Sequence, residues 1–364
     1  FKFVYNIIGE PEPLSSIYAF ICAADAAERL RRARVGTMGY RDMLLYGTQF
    51  EGNSMRGQIG IEVEPFEMLE MVQNLEKLDA EKVREGIRFV KENWVFKRPC
   101  DDSVIEKGVR YALAVGMKIE ERGYEAVSLI DVDGMKKLLG FPPAMVFMLL
   151  EHYYGVQTIP ENDIMGAATQ LILKYLSGQT IPYLEYYEFF EDSMIAGVPD
   201  FVPKAATLGD VTVLPAAFGL LNASLLNVSQ VKTGYVTCAR LVYLGGKYKM
   251  HVYTGRGETH ALERVWLGRP CAAAPQPAHL PRFLHGGSVR PERLQPACAG
   301  RLWRLCRGAA RLLQDHGYRT GHVKTKARRN PVAWRGSGAL FCRHAGGSDA
   351  VRLYAAGRGR AVSK

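Results

Sequence analysis

Hydrophobic and polar positions run through the first half of the chain in two alternating periods. Apolar residues at helical spacing predict a helix from Leu14 to Ala33, and a short apolar run at Arg34 to Gly39 (RVGTMG) predicts a strand. Two amphipathic helices follow at Pro65 to Leu78 and Asp79 to Phe96, the second with Asp79 placed to cap it. Another helix fits Asp102 to Arg122. Beyond it lie a buried strand at Glu125 to Asp131 (EAVSLID), a helix at Pro143 to Tyr154, a strand at Val156 to Pro160 and a helix from Asn162 to Ser177. Strands alternating with helices predict an α/β fold: a parallel sheet with helices on both faces.

The period changes after Gly178. The stretch GYVTCARLVYLGGKYKMHVYTG reads as two strands joined at Gly245-Gly246, the start of a β-rich C-terminal domain. The expected layout is an N-terminal connecting helix region (1–33), an α/β middle domain (34–177), the start of a β-rich domain (178–260) and an irregular basic tail (261–364). The glycines Gly255 and Gly257 suggest a turn, and no phosphate cradle, because no helix follows them.

Charge divides the chain at the same point as pattern. The net charge is +10, yet Ala261 to Lys364 carries 20 Lys+Arg against 4 acidic residues, leaving 27 against 33 in front. The tail, rich in Pro, Arg, Ala and Gly, has neither the helical nor the strand period. Its basicity alone would invite a nucleic-acid partner, but its arginines form no helix face and no stacking platform. A wrong reading frame explains them more simply. Read from the second nucleotide of each codon, the stretches Ala261 to Pro281 and Leu302 to Arg319 can regain the acidic residues and aromatic spacing that the visible tail lacks. The tail is therefore expected to be an out-of-frame translation beginning near His260.

The seven cysteines form no CxxC pair and no zinc spacing. No apolar run reaches membrane-spanning length and no signal peptide opens the chain. A reducing cytoplasm is the expected compartment.

The chemistry concentrates in TIPENDIMGAATQLILKYLSGQTIPYLEYYEFFED, Thr158 to Asp192. Glu161 follows a predicted strand and opens a helix, which places it at the carboxyl end of a parallel sheet. Glu185 lies 24 residues later, at the start of the β-rich domain. Two carboxylates at a domain junction suit a hard divalent cation and acid–base work. On generic grounds alone a Glu at a helix start is more often a cap, and a Glu between Leu and Tyr a solvated strand residue.

The string PEND, a small-residue helix ending in LSGQ, and a carboxylate 24 residues after the first Glu together resemble the L-fucose isomerase pattern of the L-fucose/L-arabinose isomerase superfamily. The likeness extends upstream through LRRARVGTMGYRDM and VSLIDVDGM and downstream through EDSMIAGVPDFVP and KYKMHVYTGRGE. L-fucose isomerases carry Asp at the second position and L-arabinose isomerases Glu, so the sugar is left open. The resemblance implies aldose–ketose interconversion through an ene-diol, with Glu161 and Glu185 as both metal ligands and acid–base pair. It implies Mn²⁺, with Mg²⁺ or Co²⁺ as alternatives, a monosaccharide substrate and a homo-oligomer. It also implies that the family's N-terminal α/β domain is missing, since the chain opens on Phe1 near the start of the middle domain.

The family's third metal ligand is a His in the C-terminal domain, and no in-frame residue fits it. His152 sits mid-helix and reads as a packing residue, while His251 reads as an exposed strand residue. The shifted frame can place a His codon across Ala297 and Cys298. Asp131 and Asp133 form a DxDG that lacks the later acidic ligands of a calcium loop and reads as a turn. By resemblance, Asp131 is a weak candidate for contact with sugar. The aromatic run Tyr183, Tyr186, Tyr187, Phe189 and Phe190 reads as core and interface. Two alternatives stand beside the isomerase: a non-catalytic remnant of the fold acting in binding or assembly and, more weakly, a nucleic-acid binder using the tail.

Overall fold

In the computed structural model the described residues are 1–9, 11, 13–189, 193–197, 201–215, 224–259, 287–290 and 339–343. Helix α1 (Leu14–Leu30) leads into strand β1 (Arg34–Met38). After a 3-10 turn (Asp42–Leu44), one helical turn, α2 (Gly52–Ser54), and a π-helical turn (Met55–Ile59) comes β2 (Glu62–Phe66). Then follow α3 (Met68–Asn74), α4 (Ala80–Asn93), β3 (Trp94–Phe96), α5 (Asp102–Arg122) and β4 (Ala126–Leu129). A π-helical turn (Asp131–Lys136), α6 (Ala144–Tyr154), β5 (Gln157–Ile159) and α7 (Ile164–Ser177) complete this part.

Strands β2, β1, β4 and β5 pair in that order, all parallel, and helices flank the sheet. The mixed α/β class is as the alternation predicts. Helix starts follow local chemistry: Asp79, Asp101 and Asp163 each cap a helix by accepting from a backbone N–H of its first turn. Glycines in the left-handed conformation end α5, α6 and α7. Helix α6 is buried without a break from Ala144 to Leu150, as an all-round apolar helix must be. Buried rings and methyls such as Phe141, Phe147, Met38, Leu129 and Leu149 fill the core.

Two departures concern the front half. The expected helix from Pro65 begins only at Met68, because Glu62–Phe66 pairs with β1 as an edge strand. The expected helix to Phe96 ends at Asn93, since Trp94–Phe96 pairs in parallel with a later strand, β9 (Val211–Pro215). In both places a few residues at a helix boundary exchange helical bonds for ladder bonds, which a period-based reading does not resolve.

After α7 the described elements are strands. They are β6 (Tyr183–Phe189), β7 (Met194–Gly197), β8 (Thr207–Leu208), β9, β10 (Leu225–Asn227), β11 (Gln230–Val231), β12 (Gly234–Leu244) and β13 (Lys247–Thr259). Strands β12 and β13 form the expected hairpin: Leu244 faces Lys247, and the two-residue link Gly245-Gly246 has φ of 60° and 78°. Positive φ at both positions is what a tight hairpin with native twist requires. Gly255 and Gly257 do not form a turn, because both continue the ladder opposite Val236 and Gly234. Most of 261–364 lies outside the described residues. The described exceptions are β14 (Gly287–Arg290), paired with β13 and β7, and β15 (Ala339–Arg343), paired with β12 and β6. Among the described residues no helix is long and apolar enough to cross a membrane.

Candidate functional site

The sheet order places β2 on one side of β1 and β4 on the other, so the chain reverses its direction of travel between β1 and β4. Loops leaving the carboxyl ends of strands at such a point form the crevice where α/β folds bind ligands. Here the loops after β1, β4 and β5 are tied together by three carboxylates.

Asp42, fully buried, accepts from the backbone N–H groups of Val132 (2.8 Å) and Asp133 (2.7 Å) across the β1 and β4 loops, and from its neighbour Met43 (3.1 Å). Asp133 returns the tie by accepting from the Met43 N–H at 2.7 Å, and its ion pair with Lys137 holds its carboxyl below the usual range. Asp131, also buried, accepts from the Glu161 N–H at 2.7 Å and lies 3.6 Å from the buried Lys136 ammonium. A buried carboxylate beside a buried ammonium offsets much of the desolvation cost of each.

Glu161 and Asn162 both have left-handed backbone, with φ of 64° and 51°. This conformation costs about 1–3 kcal/mol at a non-glycine residue and persists only where the surroundings dictate it. They do so here. The Asn162 N–H donates to the Leu129 carbonyl, and its side-chain amide donates to Thr37 Oγ1 (2.7 Å) and the Met38 carbonyl (2.8 Å). Asp163 then caps α7 by accepting from the Gly166 N–H at 2.9 Å.

Asp163 is also gripped by Arg240 of β12, whose guanidinium contacts both carboxylate oxygens and donates to the Gly47 carbonyl at 3.1 Å. Burial disfavours the Arg240 cation, but the charge and hydrogen bonds of Asp163 outweigh it and raise its pKa. One arginine thereby links the hairpin, the β1 loop and the start of α7. Among the described residues its buried Nε has no hydrogen-bond partner, nor has Asn162 Oδ1.

Glu185 lies on β6. The hydroxyl of buried Tyr183, two residues earlier on that strand, donates to Glu185 Oε1 at 3.3 Å. Burial pushes this hydroxyl's pKa well above its ordinary value, and the charges of Glu185, Glu161 and Asp163 push it further, with Arg240 opposing. Tyr183 is thus a neutral donor within the fields of both sequence-predicted carboxylates. No family model and no curated protein matches this chain.

Two acidic side chains offer hard oxygen donors of the kind Mn²⁺ and Mg²⁺ prefer, and the donor set fits such an ion in kind. It is short in number: among the described residues no group of three His, Cys, Asp or Glu side chains could hold a metal. His152 stacks on Phe89, with ring centroids 4.1 Å apart, and burial lowers its pKa. His251 is exposed on β13. The position of the shifted-frame His, at Ala297 and Cys298, lies outside the described residues. Of the aromatic run, Tyr183 is in the site, Tyr186 accepts a 2.7 Å hydrogen bond from Tyr253, and Phe189 is exposed. Phe190 and the side chain of Tyr187 lie outside the described residues.

The residues that sequence reasoning missed are Tyr183 as a polar group, Arg240, Asp42 and Lys136. Arg240 had a signal: a charge amid the otherwise apolar and small residues of VTCARLVY, at a position where a buried strand needs a partner for it.

Proposed function

We propose that this chain derives from a divalent-metal-dependent sugar ketol isomerase, with Glu161 and Glu185 as shared metal ligands and acid–base pair. The observation that carries the reading is the Glu161-Asn162 turn. Two left-handed non-glycine residues, held by Asp131, Leu129, Thr37 and Met38, present a carboxylate at the carboxyl edge of a parallel sheet. Strain stored at such a position is in keeping with a site, and Glu185 on β6 accepts from the buried Tyr183 hydroxyl at 3.3 Å.

A divalent cation, Mn²⁺ by preference, would supply Lewis acidity to neighbouring carbonyl and hydroxyl oxygens of the sugar. The chain's own residues do the rest. One of the two glutamates, as carboxylate, takes the proton from the carbon beside the carbonyl, and a carboxylic acid returns it to the adjacent carbon, so that the ene-diol collapses to the isomeric sugar. Asp131 fixes the Glu161 backbone by accepting from its N–H, and the family resemblance makes it a weak candidate for contact with a sugar hydroxyl. Arg240 neutralises Asp163, which would otherwise add a third negative charge beside the two working ones.

The same reading assigns 34–177 to a middle α/β domain, 178–260 to an incomplete β-rich domain and 261–364 to an out-of-frame tail hiding the third ligand. It places the protein in the cytoplasm, acting on a monosaccharide as a homo-oligomer once intact. The test assays manganese-dependent aldose–ketose exchange by three chains: this one, one frame-corrected near His260, and one frame-corrected and joined to an N-terminal α/β domain. The expected order is little or no turnover, then tighter Mn²⁺ binding, then full turnover. Robust turnover by the uncorrected chain would refute the account of the tail, and no turnover by any of the three would refute the isomerase.

A further inference from the structure

We infer that α1 pairs with a second copy of itself: the face carrying Leu14, Ile17, Tyr18 and Ile21 is an interface between two copies of this chain, packed antiparallel about a twofold axis. This stands apart from the isomerase reading, which expects a homo-oligomer and assigns it no surface.

Helix α1 has two apolar stripes. Ala19, Ala23, Ala26 and Leu30 are buried where the helix lies on α7, and the Arg29 guanidinium sits 4.0 Å over the Tyr175 ring of that helix. Leu14, Ile17, Tyr18 and Ile21 are exposed, all but Ile17 by more than half. At about 100° per residue this second stripe projects from nearly the opposite side of the helix. A helix apolar on both sides belongs in an interior, yet in a single copy only the side toward α7 is covered.

The exposed surface continues onto the segment before the helix. Phe1, Phe3, Tyr5 and Ile7 recur at every second position and are exposed. The Lys2 ammonium donates to the Ser16 carbonyl at 3.2 Å, which ties this segment beside the first turn of α1. At about 150–250 Å² for a fully exposed ring, Phe1, Phe3, Tyr5 and Tyr18 together present roughly 500–800 Å², and the aliphatic side chains bring the total to on the order of 1,000 Å². The largest apolar patch of a typical monomer is about 300–600 Å², whereas each side of a stable protein pair contributes about 800 Å².

Two features select a second copy over a lipid or nucleic-acid surface. The positions 14, 17, 18 and 21 have the same spacing read from either end. An antiparallel copy therefore sets Leu14 against Ile21 and brings Ile17 and Tyr18 together across the axis, the self-complementarity that a twofold interface demands. The border of the stripe carries charges of both signs that are already paired, Asp25 with Arg29 at 4.0 Å and Glu28 with Arg32 at 2.7 Å. Such a polar rim around an apolar centre suits a protein partner, while phosphates or anionic lipids call for clustered unpaired cations.

The test is sedimentation equilibrium of the full 364-residue chain over a range of concentrations. The expected result is a reversible dimer. Tyr18→Lys, at an exposed position, should raise the dimer dissociation constant by about a hundredfold or more, because two ammonium groups then meet across the axis. Tyr18→Glu should do the same, and mixing the two variants should restore a one-to-one pair. Leu69→Lys, at a comparably exposed apolar position on α3, should leave the dimer unchanged.

A parental chain that is monomeric at every concentration would overturn the proposal, and that measurement needs no variant to fold. A dimer indifferent to Tyr18→Lys, or weakened equally by Leu69→Lys, would place the contact elsewhere and overturn it too. Failure of the mixed variants to pair would rule out the twofold arrangement. A monomer that pellets with phosphatidylcholine vesicles would give the face to lipid and end the proposal.

Discussion

At the scale of single residues, the side chains that matter most are charges taken out of water. Arg240 and Asp163 are buried and bonded through both carboxylate oxygens. Removing one member of such a pair leaves the other charged and unpaired, so Arg240→Met should destabilise the chain by about 3–5 kcal/mol in urea unfolding. A loss below about 1 kcal/mol would show that the pair is not dry. Glu151 on α6 is a different case. Burial pushes its carboxyl from 4.5 up to about 8, against weaker opposing effects of Thr180 and Lys174. Between those two pH values the folded chain holds a proton that the unfolded chain has released, so stability must fall as pH rises through that window and level off above it. The whole fall across the window amounts to about 5 kcal/mol at most. Glu151→Gln should flatten it in unfolding curves measured from pH 5 to 8; an unchanged slope would place the effect elsewhere.

At the scale of elements, the close approach of α5 and α6 depends on glycine. A Cβ at Gly116 would meet the Tyr154 ring and hydroxyl at 2.0–2.4 Å, and one at Gly108 would meet Met145 at 2.1–2.7 Å. Met can swing away and a tyrosine ring cannot do so cheaply. Gly116→Ala should therefore cost about 1–3 kcal/mol, and Gly108→Ala less, as read from thermal unfolding of the two variants; the reverse order would contradict the packing described. The same elements show what a sequence reveals. Helices α5, α6 and α7 and strands β1, β4 and β5 were legible because period, caps and terminal glycines agree there. Strand β2 was not, since EVEPF has a proline and two acids and becomes a strand only by pairing with β1. In the site, Glu161 was legible from its strand-to-helix position. Arg240 showed only as a lone charge on a buried strand, its partner Asp163 lying 77 residues away, and Tyr183 was not legible, because periodicity does not encode a hydroxyl–carboxylate contact.

At the scale of the whole molecule, the loops of a parallel sheet, the first turn of α7 and strand β12 are tied together through Asp131, the Glu161 N–H, Asp163 and Arg240, and on β6 the Tyr183 hydroxyl donates to Glu185. These ties support the proposal of a shared cation. It is independent of the tail, whose charge of +16 by sequence would otherwise suggest a nucleic-acid role. If the tail bound DNA, affinity would fall steeply with salt and vanish on deleting 261–364; the account expects no specific binding in a filter assay at physiological salt. The most direct measurement of the central claim is anomalous diffraction at the manganese edge from crystals of this chain soaked in Mn²⁺. The account predicts one peak with carboxylate oxygens of both Glu161 and Glu185 about 2.0–2.6 Å from it. No peak, or a peak that touches neither or only one of these glutamates, would contradict it.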